Sequence, residues 1–195
     1  SLSPRLRLSL AACSSISTNG AYGIAASRHK MRSLQLLAAA GVPVPRTVMA
    51  SDPSGLKEMV RLVGGVPVLV KLVSANEKGG AMICESLQSL EAALEAILGL
   101  GQNIVVQQYL RGAKGRDLRV LVVGGEVVAA MRRSPPVGRF SRNLRRGAQF
   151  ERTQLPAPYA RVALSAARVM RLEVCAVDML DVKGRPHVFE VNGSP

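Results

Sequence analysis

The sequence contains few aromatic and few acidic side chains. It has no Trp, aromatic residues make up 3% of its 195 residues, and 13 acidic residues stand against 26 basic ones. No apolar run reaches the length of a transmembrane helix. Its three cysteines, Cys13, Cys84 and Cys175, are widely separated and form neither a zinc motif nor a disulfide framework. We therefore expect a cytoplasmic protein whose core is built from Leu, Val, Ala, Ile and Met.

Positive charge is concentrated in one stretch of the chain. The net charge is +13, and the segment Arg132–Arg152 holds seven Arg with Glu151 as its single acid. Because Arg binds phosphates and carboxylates in a bidentate way, this stretch favours an anionic partner. A solvated basic loop without a partner explains the same composition equally well.

The N-terminal composition is also unusual. No acidic residue precedes Asp52, and Ser and Arg are common in the first thirty residues, as in organelle transit peptides. The chain does not start with Met, so we favour a fragment of a longer protein, with 1–26 as an N-terminal remnant or linker. Organelle import remains open on this composition.

Hydrophobic periodicity and turn residues predict alternating helices and strands. The predicted helices are Ser27–Ala40, a segment capped by Ser51 or Asp52 that ends at Gly64-Gly65, a segment from Ser86 to Leu98, and Ala157–Leu172. The predicted strands are Thr47–Ala50, Val66–Val73, Ala81–Glu85, Ile104–Leu110, Asp117–Val123, Glu126–Met131, Val174–Leu180 and His187–Val191. Hairpins and segregated helices together predict an α+β protein of two lobes that join near Gly112.

Three oxygen-bearing side chains lie in the last predicted hairpin. Asp178 interrupts an apolar strand, and Glu190 and Asn192 alternate in the next strand. Because alternate residues of a strand share one face, a turn at Lys183-Gly184 brings the three side chains together. Two carboxylates and one amide oxygen suit Mg²⁺. The alternative is an ordinary hairpin whose polar residues are solvated. The apolar neighbours of Asp178 in the sequence argue against this alternative.

Two other charged positions have a functional and a structural interpretation. Lys71 interrupts a strongly apolar strand, where an ammonium is costly unless an anion meets it, although a lysine in an edge strand can also reach solvent. Asp117 and Arg119 share one face of the next strand, and an ion pair between them is the simplest interpretation. His29 and His187 have no partners at metal-ligand spacing, and we interpret both as surface residues.

These segments together resemble the ATP-grasp superfamily, and specifically the RimK-type ribosomal-protein glutamate ligases. The resemblance rests on the stretches 29–45, 63–73, 103–110 (NIVVQQYL), 115–133 (GRDLRVLVVGGEVVAAMRR), 140–147 (FSRNLRRG) and 177–195 (VDML…FEVNGSP). It implies a two-lobed ATP-grasp fold, with a nucleotide cleft between two antiparallel sheets. The first lobe would cover 27–111, and the second, with the metal site, 112–195.

The resemblance also implies a role for each matched position. Lys30 and Lys71 would contact ATP phosphates, Gln108, Tyr109 and Leu110 would form the adenine-binding hinge, and Asp117 would lie near the nucleotide. Asp178, Glu190 and Asn192 would hold Mg²⁺ or Mn²⁺, and Arg119, Arg133 and Asn143 would face the transferred phosphate and the acceptor carboxylate. The sequence departs from the family pattern at His29, at Ala75 and Lys78 of the glycine-rich loop, at Gln108 of the hinge, and at the triplet Ser141-Arg142-Asn143.

The implied activity is an ATP-dependent carboxylate–amine ligation through an acyl phosphate, which adds glutamate or a similar amino acid to a peptide or protein. The implied partner is an anionic, glutamate-bearing peptide or protein, such as a ribosomal protein, and a homo-oligomer is compatible with the resemblance. No membrane partner is expected. Two alternatives stay open: another ATP-grasp amino-acid ligase, or a degenerate, non-catalytic basic module that binds RNA or ribosomes through Arg132–Arg152.

Overall fold

The structure is a computed structural model that describes residues 18–50, 52, 54–72, 81–99, 103–113, 117–134 and 149–195. The helices in these ranges are α1 (Ala21–Arg28), α2 (Lys30–Ala39), α3 (Leu56–Val63), α4 (Leu87–Leu98) and α5 (Ala157–Val169), with a 3₁₀ turn at Arg111–Ala113. The strands are β1 (Thr47–Ala50), β2 (Val68–Leu72), β3 (Ala81–Cys84), β4 (Ile104–Gln108), β5 (Asp117–Val123), β6 (Glu126–Ser134), β7 (Gln149–Arg152), β8 (Val174–Val182) and β9 (Arg185–Asn192).

The described chain forms two compact units. The small unit is Pro45–Arg111, and the large unit combines the described residues up to Val44 with Gly112–Pro195. The sequence predicts one lobe over 27–111, but α1 and α2 pack against β9 of the large unit. Hydrophobic periodicity does not encode such long-range packing. The first two helices therefore belong to the same unit as the C-terminal strands.

The small unit contains a four-stranded antiparallel sheet in the order β1-β4-β2-β3. Helices α3 and α4 cover one face, where Val63 and Leu90 are fully buried against Val68 and Ile104. Since strand residues alternate between faces, Lys71 of β2 lies on the face away from this core.

The large unit contains a five-stranded antiparallel sheet in the order β7-β6-β5-β8-β9. Helix α5 and the first two helices cover one face, with Val120, Val177 and Met170 in the core. The strand residues between these apolar positions are Asp117, Arg119, Asp178, Glu190 and Asn192. The alternation of β5, β8 and β9 therefore gives the sheet one apolar face and one charged face.

The N-terminal segment differs most from its prediction. In place of one helix at Ser27–Ala40, two helices meet at His29, whose imidazole caps α2 by accepting a hydrogen bond from the backbone N–H of Arg32 at 3.3 Å. Asn19 is buried, and its amide bonds to the backbone at Val174 (2.7 Å to the carbonyl) and Gly193 (2.9 Å to the carbonyl). The part of 1–26 that the structure describes therefore belongs to the large unit rather than to a linker.

Several predicted element boundaries also shift. The helix after β1 begins at Leu56, with Gly55 at its N-cap, while Asp52 bonds to the backbone of Ser54. Strand β6 continues to Ser134 and pairs with β7, a strand within the stretch predicted as an Arg-rich loop. The helix that begins after Ser86 and ends at Leu98 is confirmed, together with its serine cap. Within the described ranges, none of the helices has the length and apolar character that crossing a membrane requires.

Candidate active site

The charged face of the large unit is organised by strand register. Arg119 of β5 lies opposite Asp178 of β8, which in turn lies opposite Glu190 of β9. Two residues before Arg119 in β5, Asp117 lies opposite Arg133 of β6. Directly opposed residues are close enough for side-chain pairing across antiparallel strands, so the register creates a row of alternating charges.

Asp178 forms a bidentate ion pair with Arg119. The residue is 1% exposed, and its carboxylate accepts bonds from Arg119 Nε at 2.8 Å and Nη2 at 2.7 Å. Arg133 Nη2 lies 3.3 Å from Asp178 Oδ2. The simple interpretation that Arg119 pairs with Asp117 is therefore wrong. Each bonds instead to a residue on a different neighbouring strand, because opposed residues meet more directly than neighbours at i, i+2.

Asp117 is paired with Arg133, whose side chain is 14% exposed against 32% for Arg119. Asp117 is 2% exposed, and its Oδ1 accepts a bond from Arg133 Nε at 2.6 Å, while Arg133 Nη2 donates to Oδ2. Burial raises the pKa of Asp117 above its usual value, although the hydrogen bonds and charge of Arg133 act in the other direction. The hydrogen bonds to Asp178 raise the pKa of Arg119. Both guanidiniums therefore stay charged.

Glu190 and Lys30 form a looser pair at the edge of the same sheet. Lys30 is the first residue of α2, and its Nζ lies 3.7 Å from Glu190 Oε1, with the two side chains 60% and 39% exposed. Asn192 lies two residues along β9 on the same face, and its Oδ1 accepts a bond from the backbone of Ser194 at 2.9 Å. The oxygens of Glu190 are therefore more accessible than those of Asp178.

The three predicted metal ligands share one face of the hairpin, which suits a hard cation in donor type. Across the ranges that the structure describes, no group of three His, Cys, Asp or Glu side chains could hold a metal ion. The predicted set differs from such a group because its third ligand, Asn192, is an amide. Both oxygens of Asp178 already bond to Arg119. A metal ion would therefore reach the oxygens of Glu190 and Asn192 more easily. To bind Asp178 it would have to displace the guanidinium of Arg119.

In the small unit, Lys71 contacts a residue that sequence reasoning missed. Its Nζ donates a hydrogen bond to Oε1 of Gln107 at 2.8 Å, and Gln107 is 2% exposed. The available signal is that Gln107 follows the apolar run Ile104–Val106, where a buried amide needs polar partners. The predicted hinge residue Gln108 points elsewhere: its Oε1 accepts a bond from the backbone N–H of Arg46 at 3.3 Å.

The other predicted hinge residues, Tyr109 and Leu110, follow β4 and are half-buried. Asn143, the glycine-rich loop at 74–80 and the arginines between 135 and 148 lie outside the described residues. The roles assigned to all of these positions therefore remain predictions.

A cavity of about 520 Å³ lies elsewhere in the large unit. Its lining residues are Gly41, Val42, Pro43, Pro158, Arg161, Val162, Ser165, Arg185, Pro186 and His187. It shares no residue with the charged face. Because the opposed charges and the predicted ligands all lie on the sheet, we place the candidate site there rather than in this mostly apolar cavity.

Residues 27–195 match the sequence model of a protein family, the RimK-like ATP-grasp domain. A curated relative from Teredinibacter turnerae, named "Probable alpha-L-glutamate ligase", is 44% identical over 177 residues, which cover 91% of this chain and 59% of the relative. The chain thus spans about three fifths of the length of the curated relatives it matches.

Solved structures show the same fold at lower sequence identity. The D-alanine–D-alanine ligase from Bacillus anthracis superposes with a TM-score of 0.80 at 20% identity, covering 97% of this chain and 64% of that one. The ATP-grasp ligase PsnB, complexed with minimal precursor, Mg and ADP, gives a TM-score of 0.72 at 22% identity, covering 98% and 58%. The ATP-grasp fold, with its two antiparallel sheets, is confirmed.

Proposed function

The chain belongs to the RimK-like ATP-grasp family, and we propose that it is the core of an ATP-dependent ligase that adds glutamate to a peptide or protein carboxylate. The observation that carries this proposal is the charged face of the large unit, where two guanidiniums and two carboxylates are opposed in strand register. Such a face provides fixed positive charge beside oxygen ligands. Phosphoryl transfer to a carboxylate requires both.

In the proposed reaction, a carboxylate oxygen of the acceptor attacks the γ-phosphorus of ATP, the bond from that phosphorus to the bridging oxygen breaks, and ADP leaves. The amine of the incoming glutamate then attacks the acyl carbon and loses a proton, and inorganic phosphate leaves with its electron pair. Arg119 and Arg133 would donate hydrogen bonds to the transferred phosphoryl group. Their bidentate pairing with buried carboxylates would keep them oriented before substrate arrives.

The proposed cofactors are ATP and Mg²⁺, with Mn²⁺ as a substitute. Asp178, Glu190 and Asn192 would hold the ion, which would neutralise phosphate charge. The solved structure of PsnB in complex with minimal precursor, Mg and ADP supports this choice. Lys30 and Lys71 are the proposed phosphate contacts, and Gln108 to Leu110, with Asp117, are the proposed surroundings of the nucleotide. Asn143, outside the described residues, is kept as a proposed contact of the acceptor.

The first experiment is a calorimetric titration of the chain with ATP, with and without Mg²⁺. We expect saturable binding that needs the metal, and weaker metal-dependent binding in a Glu190→Gln variant. Glu190 is the variant of choice because it is half exposed and its ion pair with Lys30 is loose, so its loss should not disturb the fold. Equal Mg²⁺ dependence in both proteins would contradict the proposed metal site.

The proposed acceptor is an anionic, glutamate-bearing peptide or protein, such as a ribosomal protein, in the cytoplasm. The binding of PsnB to a precursor supports a peptide substrate. Binding of poly-glutamate peptide and of a generic RNA should be compared with and without Mg²⁺-ATP. Peptide binding that requires nucleotide is expected. RNA binding that ignores nucleotide and falls steeply with salt would favour the non-catalytic basic module instead.

A further inference from the structure

Four polar groups of the small unit, one of them the Lys71 ammonium, form a continuous hydrogen-bonded chain. The Thr47 hydroxyl donates to the carbonyl of Pro45 at 2.8 Å, and Gln107 Nε2 donates to Thr47 Oγ1 at 2.9 Å. Lys71 Nζ then donates to Gln107 Oε1 at 2.8 Å. Adjacent antiparallel strands β1, β4 and β2 carry the three side chains, with Thr47 directly opposite Gln107.

The groups at the two ends of this series of hydrogen bonds determine which atom donates and which accepts in every bond. A carbonyl can only accept, so the Thr47 hydroxyl must donate to Pro45 and offers its lone pairs to Gln107. An ammonium can only donate, so the amide oxygen of Gln107 must face Lys71. Both ends therefore select the same orientation of the Gln107 amide, which would otherwise be free to flip by half a turn.

We propose that Gln107 and Thr47 are positioning residues that hold the Lys71 ammonium in place for a nucleotide phosphate. This inference rests on the proposed function, in which Lys71 contacts ATP. Lysine has a long, flexible stem, and a phosphate that binds a mobile lysine must first immobilise it. A lysine that is already oriented costs less to engage, which raises affinity without any new contact to the ligand.

The chemistry of the partner supports a positioning role over a purely structural one. A carboxylate at 107 would hold the ammonium as well, but it would also neutralise the charge that attracts phosphate. A glutamine accepts the hydrogen bond without contributing a negative charge. Because Gln107 is 2% exposed, the amide is also shielded from water that would compete for its oxygen.

The closing experiment has one arm without nucleotide. The acylation rate of the Lys71 amine is measured by mass spectrometry in the wild type and in the variants Thr47→Val and Gln107→Met. Loss of one hydrogen bond corresponds to roughly two- to tenfold in an equilibrium, so we expect the Lys71 rate to rise by about that factor. Thr47→Ser, which keeps the hydroxyl, should restore the wild-type rate. Thr153→Val, which removes a threonine hydroxyl from the large unit, should leave it unchanged.

The second arm measures the dissociation constant for Mg²⁺-ATP in the same variants. We expect Thr47→Val and Gln107→Met to weaken binding a few-fold without changing the stoichiometry, and Thr47→Ser to restore it. Suppose that the wild type binds ATP and that Lys71→Met weakens this binding. Unchanged Lys71 acylation and unchanged ATP affinity in Thr47→Val and Gln107→Met would then overturn the positioning role but not the proposed function. If the wild type binds no ATP, the proposed function fails, and an altered acylation rate would describe a hydrogen-bond chain without a role in nucleotide binding.

Discussion

The two units differ in the partner that they provide for a positively charged side chain in a strand. In the large unit, Arg119 and Arg133 form bidentate pairs with the buried carboxylates of Asp178 and Asp117. In the small unit, Lys71 bonds to the neutral amide of Gln107. The large unit therefore pairs each cation with a carboxylate, whereas Gln107 of the small unit accepts a bond from a cation without contributing a negative charge.

This difference predicts how each unit responds to the loss of one partner. Breaking a buried ion pair leaves an uncompensated charge away from water, which is more costly than losing a single hydrogen bond to a neutral amide. Substitutions on the charged face should therefore affect folding, whereas substitutions around Lys71 should mainly affect ligand binding.

The largest effect on stability is expected for Asp117→Ala. It leaves Arg133 with only the more distant Asp178, at 3.3 Å, in a position where the arginine is largely buried. The free energy of unfolding should fall by about 3 kcal/mol, measured by urea denaturation at neutral pH. The matched control is Glu190→Ala, which removes an accessible carboxylate from the same sheet and should cost less than about 0.5 kcal/mol. Equal losses in the two variants would contradict the contrast.

A smaller stability effect is expected for Lys71→Met. The variant leaves the buried Gln107 oxygen without the lysine donor, which should lower the free energy of unfolding by about 1 kcal/mol. The affinity for Mg²⁺-ATP should fall by roughly tenfold or more, the usual value of a hydrogen bond to a charged group. Calorimetry and urea denaturation of the same preparation measure both quantities. A variant with normal ATP affinity would remove Lys71 from the proposed site.

The pH dependence of stability tests the burial of Asp117. Because burial raises its pKa in the folded state above the ordinary 3.8, the unfolded chain loses this proton at lower pH than the native protein. Its contribution to stability is therefore largest below pH 3.8 and declines as pH rises through the folded pKa. In Asp117→Asn that decline should be absent. Urea denaturation from pH 3 to pH 7 should show the wild type losing stability relative to Asp117→Asn, and the opposite slope would contradict a raised pKa.

The smallest effect is expected for Lys30→Ala. The pair with Glu190 is long, at 3.7 Å, and exposed, so the free energy of unfolding should change by less than about 0.5 kcal/mol. If Lys30 contacts phosphate as proposed, the affinity for Mg²⁺-ATP should still fall measurably. Loss of stability without loss of affinity would assign Lys30 a structural role instead.

Local sequence signals predicted most of the strands and turns. The predicted Gly124-Gly125 and Lys183-Gly184 turns are confirmed: all four residues have positive φ, as two-residue hairpin turns between right-twisted strands require. The alternation of Asp117, Arg119, Asp178, Glu190 and Asn192 also follows from the period of two in a strand. These features depend on neighbours within a few residues, so the sequence specifies them directly.

The N-terminal helix escaped prediction for the opposite reason. The segment Ala21–Arg28 is short and rich in small residues, so it has only a weak apolar stripe. It is held in place by Asn19, which bonds to the backbone at Val174 and Gly193, and by the tight packing of Gly23 against the carbonyl of Arg171. All of these partners lie more than 140 residues away in the sequence.

The sequence alone determined the family pattern, the hairpins and the set of charged residues that share one face. Only the tertiary structure decided which charges meet. The sheet order β6-β5-β8 brings Arg119 to Asp178 across 59 residues and leaves Asp117 to Arg133. In the small unit, the order β1-β4-β2 places Gln107 between Thr47 and Lys71. Periodicity assigns a residue to a face, but its partner depends on which strands are neighbours, and that is set by the packing of the whole sheet.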